Sequence, residues 1–212
     1  MKPLRLEELS DGIFAIVMTI LVFELKIPQS IIIFNNSELW VAIKNLAPSI
    51  ISYVLSFTLL FTYWRAHHFF ISVYAKNIDI KLTNLNALFF LLIGLVPFSA
   101  SVLGRFHQTG LAIIIFGTHI ALIGLCLYWM RNYVFFSDQI KNPEIPKREI
   151  HGSTVRTLVP VVFALIAIIL SFYNRNLSLA LFSLAVIFNI LPSSTKIFNK
   201  ILKFFNVHSP EL

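Results

Sequence analysis

Hydrophobic positions along the chain fall into six long runs that polar and charged residues separate. Because a helix that crosses a bilayer needs ~20 mainly apolar residues, runs of this kind predict membrane-spanning helices. The pattern therefore predicts an all-α membrane protein with six transmembrane helices, which we call spans 1 to 6, in one domain over residues 1–212. The predicted spans cover residues 10–25, 39–73, 85–103, 111–130, 158–173 and 177–191.

Three prolines lie in or beside these spans. Span 2 is longer than a hydrocarbon core of ~30 Å requires, and we expect it to kink near Pro48. Pro97 lies inside span 3, whereas Pro160 is predicted in the first turn of span 5, where proline is tolerated. In the tail, residues 196–212, lysines and large apolar residues alternate at helical spacing. This tail is predicted to lie on the membrane surface as an amphipathic helix.

Composition agrees with a membrane setting. Hydrophobic residues make up 57% of the 212 residues and charged residues 13%, with a mean hydropathy of +0.80. A soluble domain is about 25% charged. The single cysteine, Cys126, excludes an intrachain disulfide. The net charge of +7 is spread over the loops, so we expect no nucleic-acid partner and attribute the charge to orientation in the membrane.

Lysine and arginine residues are divided unequally between the two sides that six spans define. Twelve of the 17 fall on the side of both termini, and Arg65 lies near an interface. The four on the opposite side are Lys26, Lys44, Arg105 and Arg175. Since positive residues are retained on the cytosolic side, both termini are predicted to be cytosolic.

The beginning of the chain carries a polar cluster beside an apolar run. Ser10 and Asp11 are helix N-cap residue types, so we place the start of span 1 there, with Arg5 within reach of Asp11. Along span 1 a stripe of residues recurs at helical spacing. Its members are Gly12, Ile16, Thr19, Ile20 and Phe23. Such a stripe is compatible with ordinary packing or lipid contact, and also with the wall of a narrow pore.

The end of span 2 carries adjacent histidines, His67 and His68, after an interfacial Trp64. Adjacent side chains on a helix diverge by ~100°, so the pair is a poor metal site. We expect one histidine to hydrogen-bond the polar groups at the base of span 1. The sequence contains no nucleophile motif, no glycine-rich phosphate loop and no carboxylate pair inside a span, which argues against an enzyme.

Three motifs together resemble the transmembrane protein 175 family, the endosomal and lysosomal potassium channels and their bacterial and archaeal homologues. The first resembles the family signature Arg-x-x-x-Phe-Ser-Asp-Gly, with leucine in place of phenylalanine. The motifs are Arg5-x-x-x-Leu9-Ser10-Asp11-Gly12, Tyr63-Trp64-x-x-His67-His68, and Asn84-Leu85 followed by Val96-Pro97-Phe98-Ser99. With six spans in one repeat, the chain resembles a prokaryotic member of the family.

The resemblance implies a homotetrameric, potassium-permeable channel without a Thr-Val-Gly-Tyr-Gly filter, in the plasma membrane of a prokaryote. Span 1 of each subunit would line a central pore, with Ile16, Ile20 and Phe23 as hydrophobic constrictions. Ile16 and Thr19 would set selectivity, with K⁺ passing near them. The implied partners are lipid, monovalent cations and further copies of the chain, with no cofactor beyond the permeant ion.

The resemblance also implies a hydrogen-bonded base that fixes span 1. Its members are Arg5, Ser10, Asp11, Trp64, His67 or His68, and Asn84. Two other classes remain open from the residues themselves. An ion- or proton-coupled transporter would titrate Asp11 and the histidine pair, whereas a non-conducting scaffold would use the same polar groups only to cap a helix.

Overall fold

The computed structural model describes residues 3–27, 32–144 and 147–190, and it is helical throughout most of them. The predicted tail, residues 196–212, lies outside the described residues. The α-helices, labelled in chain order, are α1 (Pro3–Ile20), α2 (Asn36–Asn45), α3 (Ala47–Phe69), α4 (Ile80–Gly94), α5 (Val96–Arg105), α6 (Gly110–Phe136), α7 (Lys147–Ser171) and α8 (Arg175–Ile190). A 3₁₀ turn, Leu21–Glu24, follows α1, and a π turn, Phe70–Tyr74, follows α3.

Contacts between helix ends give the direction of each pass. Glu24, after α1, pairs with Arg105 at the end of α5, so these helices finish at one end of the bundle. At the other end, the amide of Lys76 after α3 donates to the carbonyl of Ile140 after α6 at 2.7 Å. Following the orientation predicted from the positive residues, we call these the outer end and the inner end, respectively.

Spans 2 and 3 each consist of two helices with a break two residues before a proline. The α2–α3 break is at Leu46, before Pro48, and the α4–α5 break is at Leu95, before Pro97. Proline has no N–H to continue the helical ladder, and its ring crowds the preceding turn, so both breaks have the same cause. The predicted kink near Pro48 is therefore present as a helix break.

The start of α1 differs from the prediction. The helix begins at Pro3 and passes through Ser10 and Asp11 without a cap. Both residue types normally favour helix ends because their side chains compete for backbone N–H groups. Here both side chains instead bond to α3, so they do not interrupt the helix.

The start of α7 also differs. The helix begins at Lys147 rather than near residue 158, and Pro160 is in its interior. Proline inside a helix is tolerated in a membrane bundle where neighbouring groups compensate for the missing hydrogen bond. Arg131, which the prediction put in the following loop, lies in α6 and is buried.

Among the described helices, three stretches are long and apolar enough to cross a membrane by length and composition. They are Ala47–Tyr74, Ile80–Arg105 and Gly110–Phe136. The apolar part of α7, Thr157–Ser171, is shorter. Spans 2, 3 and 4 of the prediction thus have candidate membrane helices, whereas a full count of six crossings remains a prediction.

The inner end of α4 is fixed by the side chain of Asp79. Its Oδ1 accepts from the amide of Leu82 at 2.8 Å, which caps the helix, and its Oδ2 accepts from the hydroxyl of Tyr133 on α6. Desolvation of the Asp79 carboxyl favours its neutral form. The hydrogen bonds and the nearby Lys81 outweigh that effect and lower the pKa of Asp79 below its ordinary value.

Glycines allow α6 to approach its neighbours closely. A Cβ at Gly124 would lie 2.4 Å from Cγ2 of Val161 on α7, and one at Gly117 would lie 2.8 Å from Cγ1 of Ile168. Small residues at such contacts let helix backbones approach in a membrane, where dispersion and packing drive association.

The substitution Gly124→Ala is expected to force α6 and α7 apart, because the β-branched Val161 has little rotamer freedom with which to yield. We expect a loss of stability of about 1–3 kcal/mol, as for other overpacked sites. Thermal unfolding in detergent micelles measures it. Gly94→Ala is the matched control, since a Cβ there meets nothing within 4 Å. Equal unfolding temperatures for the two variants would contradict the packing argument.

Candidate functional site

Helix α1 has one face that packs into its own chain. Leu6, Ser10, Phe14, Val17 and Leu21 (the last in the 3₁₀ turn) recur every three or four residues, and all are buried. This face contacts α3 and α4, for example through the rings of Phe14 and Phe89, whose centroids are 6.1 Å apart. The buried face fixes which side of α1 is turned away from the rest of the subunit.

The opposite face of α1 is the predicted stripe. Gly12 and Thr19 are exposed, and Ile16, Ile20 and Phe23 are 58%, 41% and 61% exposed. All five residues of the predicted stripe therefore share the face of α1 that the rest of the subunit leaves uncovered. Large apolar side chains gathered on one face of an otherwise anchored helix are available to contact lipid, another subunit or a pore.

A buried hydrogen-bond chain connects α1, α3 and α4. Ser10 Oγ lies 3.1 Å from His67 Nδ1, and His67 Nε2 lies 2.6 Å from Asn86 Oδ1. All three side chains are at most 1% exposed. The ring of His67 also stacks on Phe89, with centroids 5.1 Å apart and an interplanar angle of 6°. We call Ser10, His67 and Asn86 the polar anchor.

The bonding pattern assigns the tautomer of His67. Asn86 Nδ2 donates to the carbonyl of Leu82 at 2.9 Å, so its Oδ1 is the atom that faces His67. An amide oxygen only accepts, and the Nε2–H of His67 must therefore donate to it. In the neutral ring, Nδ1 then accepts from the hydroxyl of Ser10. Every polar atom of the imidazole is paired, which removes most of the cost of burying it.

A second connection lies one residue further along α1. Trp64 Nε1 donates to Asp11 Oδ1 at 2.7 Å, and the Trp64 ring stacks on His68, with centroids 5.8 Å apart. Arg5 is exposed, one to two turns before these residues. Within the described parts of the chain, Arg5 and Asp11 form no ion pair. The structure thus brings together Ser10, Asp11, Trp64 and both histidines, but not Arg5.

The asparagine of the anchor differs from the predicted one. Asn84 is exposed, whereas Asn86 is the residue bonded to His67. The buried face of α4 comprises Leu82, Asn86, Phe89 and Ile93, at helical spacing. Periodicity counted from the Asp79 cap would have assigned Asn86 to the buried face and Asn84 to the exposed one.

At the outer end, α1 is attached by a different contact. Arg105 Nη2 donates to Glu24 Oε2 at 3.2 Å. Between the two attachments, the hydroxyl of Thr19 lies 2.8 Å from the carbonyl oxygen of Ile16 and 3.0 Å from that of Ala15. Its hydrogen is therefore directed to its own helix, and lone pairs of its oxygen remain for another partner.

A bundle with three membrane-length apolar helices and a buried polar anchor defines a multi-pass α-helical membrane protein. In the described residues, no group of three or more histidine, cysteine, aspartate or glutamate side chains is arranged to hold a metal ion.

A family model described as endosomal/lysosomal potassium channel TMEM175 matches residues 5–97. The matched segment contains α1 from Arg5 onward, all three residues of the polar anchor and the break before Pro97. Together with the relatives below, the match shows that the chain is similar to the TMEM175 family.

Relatives match over most of the chain. A potassium channel from Chryseobacterium sp. (strain P1-3) is 27% identical over 189 residues, covering 89% of this chain and 92% of that one. A potassium channel from Chamaesiphon minutus (strain ATCC 27169 / PCC 6605) is 28% identical over 188 residues, covering 87% and 92%. The crystal structure of a TMEM175 homologue from Chamaesiphon minutus, described as a lysosomal potassium-selective channel, superposes with a TM-score of 0.78 at 26% identity, covering 90% of this chain and 97% of that one.

The substitution Asn86→Ala is expected to destabilise the protein by about 1–3 kcal/mol, because it leaves the buried Nε2–H of His67 without an acceptor. Thermal unfolding in detergent measures the change. Asn84→Ala removes the same group from an exposed position of the same helix and should be nearly neutral. An equal loss in both variants would show that the anchor is not the source of the effect.

Proposed function

We propose that the chain is a subunit of a potassium-permeable channel in a prokaryotic plasma membrane, a single six-span domain with both termini in the cytosol. Four copies surround a pore lined by the exposed stripe of α1. The proposal rests on one observation above all. The polar anchor and the apolar face of α1 turn Ile16, Thr19 and Ile20 away from the subunit. The relatives named as potassium channels favour cation conduction as the use of this face, rather than transport or catalysis.

Ile16 is the proposed constriction. A ring of four isoleucine side chains offers no ligand to an ion, and a narrow apolar ring excludes water by dewetting. A small rotation or displacement of α1 would widen the ring and admit hydrated ions. Ile20 and Phe23 would form further apolar rings toward the outer end.

Thr19 is the proposed contributor to selectivity. Because its hydrogen is directed to the backbone of Ile16 or Ala15, its oxygen presents acceptor lone pairs, the ligand type that K⁺ prefers. In a tetramer, four such oxygens would lie one turn from Ile16. They would replace part of the hydration shell of K⁺ as the ion approaches the apolar ring.

Purified protein in liposomes under a potassium gradient tests conduction. We expect passive K⁺ flux in the wild type, and we expect Ile16→Ala to raise it on the order of tenfold, since lowering a barrier by about 1.4 kcal/mol is sufficient. Leu122→Ala, an equal kind of truncation at an exposed apolar site on α6, is the matched control and should leave the flux unchanged. Folded wild type without flux, together with silent Ile16→Ala, would overturn the channel proposal.

The substitution Thr19→Val keeps the shape of the side chain but removes its oxygen. We expect the K⁺ to Na⁺ permeability ratio to fall about fivefold, the effect of losing roughly one polar contact. Reversal potentials under bi-ionic conditions give the ratio. Thr19→Ser retains the oxygen and should keep a ratio near that of the wild type. An unchanged ratio in Thr19→Val would remove threonine from the selectivity mechanism.

A further inference from the structure

The two ends of α1 are attached to the two halves of a broken helix. Asn86 on α4 holds the polar anchor at the inner end, through His67 and Ser10. Arg105 on α5 holds Glu24 at the outer end. The proposed constriction at Ile16, with Thr19 about one turn further along, lies between these attachments. The angle between α4 and α5 therefore constrains the position of one end of α1 relative to the other.

The break between these halves has lost part of its backbone ladder. Pro97 cannot donate a hydrogen bond to the carbonyl of Ile93, and the chain makes a tight turn in which the amide of Leu95 bonds to the carbonyl of Leu92 at 3.1 Å. In hydrocarbon, a backbone group without full compensation is costly, so breaks persist only where a neighbour supplies partners.

His119 on α6 supplies partners to both sides of the break. Its Nε2 lies 2.9 Å from the carbonyl oxygen of Leu92, near the end of α4, and its Nδ1 lies 2.8 Å from Oγ of Ser99, in the first turn of α5. A carbonyl only accepts, so Nε2–H donates to Leu92, and in the neutral ring Nδ1 accepts from the Ser99 hydroxyl. The one hydrogen of that hydroxyl is shared between Nδ1 at 2.8 Å and the carbonyl of Val96 at 3.1 Å. One ring thus bridges the two helices.

The helix that carries His119, α6, is held in place by extensive packing. α6 is continuous from Gly110 to Phe136 and buries one face along most of its length, including Phe116, Ile120 and Ile123. It packs tightly on α7 at Gly117 and Gly124. A side chain projecting from so constrained a helix restricts the break more than one from a mobile loop would.

We infer that His119 is a positioning residue that fixes the angle between α4 and α5 and, through their separate attachments, the position of the outer half of α1 relative to its inner half. This inference rests on the proposed function for its effect on conduction. His119 touches no permeant ion in this scheme. It narrows the range of widths that the constriction at Ile16 adopts.

The test uses His119→Leu, which removes both bonds, and His119→Gln, whose amide N–H can still donate to the carbonyl of Leu92. His107→Leu is the matched control, because His107 lies in the turn after α5 and not across the break. We expect His119→Leu to reduce the K⁺ to Na⁺ permeability ratio about five- to thirty-fold, the range for losing two hydrogen bonds. We expect His119→Gln to recover most of it and the control to be unchanged.

Spin-label distances measured within one subunit distinguish a positioning role of His119 from a general loss of stability. Spin labels at Leu122 on α6 and at Val22 report the outer end of α1, and labels at Leu122 and Leu9 report the inner part. All three side chains are exposed, and the labelled chains, with Cys126→Ser, are diluted with unlabelled protein. His119→Leu should shift or broaden the 22–122 distance and leave the 9–122 distance unchanged.

Three results would overturn the inference. They are an unchanged 22–122 distance, equal broadening of both distances, and a His119→Gln variant that behaves like His119→Leu. If the wild type carries no cations, the proposed function fails, but the distance measurements still decide whether His119 fixes the break.

Discussion

The structure depends on a histidine that is fully buried and yet hydrogen-bonded at both ring nitrogens. His67 donates to Asn86 and accepts from Ser10, so one imidazole connects three helices at a single point. Its stacking on Phe89 fixes the plane of the ring, and hence the directions of both bonds. Since an unpaired polar atom at this depth is costly, alternative rotations of α1 about its own axis are disfavoured. The anchor thereby determines which face of α1 is covered by its own subunit.

The attachments of α1 are unequal in kind. The inner one is buried, directional and shared among several side chains, whereas the outer one is a partly exposed ion pair, Arg105 with Glu24, of a type that contributes little stability. The exposed stripe extends from the buried attachment near Gly12 to the ion pair near Phe23, where the fully buried Leu21 adds apolar packing to the outer attachment.

Several features could be predicted from the sequence, because they depend on local chemistry. Apolar run lengths placed three membrane-length helices, Pro48 marked one of the two breaks, and the spacing of Ile16, Thr19 and Ile20 identified a common face. Pro97 was recognised inside span 3, but no break was predicted there. Other features depended on tertiary partners. Ser10 and Asp11 are residue types that cap helices, but here their side chains bond to His67 and Trp64, and both residues lie inside α1. Pro160 is of a residue type that favours the first turn of a helix, yet it lies inside α7, which begins at Lys147. The choice of Asn86 over Asn84 required the correct start of α4, which the Asp79 cap supplies.

The same physical requirement explains the polar anchor, which was predicted in part, and the contacts of His119 at the α4–α5 break, which were not. In water, the free backbone groups of a broken helix and the hydroxyl of a mid-helix serine can hydrogen-bond to solvent. In hydrocarbon, the same groups need a partner within the protein. Ser10 bonds to His67, and beside the break at Leu95 the carbonyl of Leu92 accepts from His119, which also bonds to Ser99. In each case a histidine on a neighbouring helix supplies one donor and one acceptor at a fixed angle, which neither a lysine nor a carboxylate offers. Each histidine thus fixes the relative position of two helices that contact α1. These are α3 and α4 for His67, and α4 and α5 for His119.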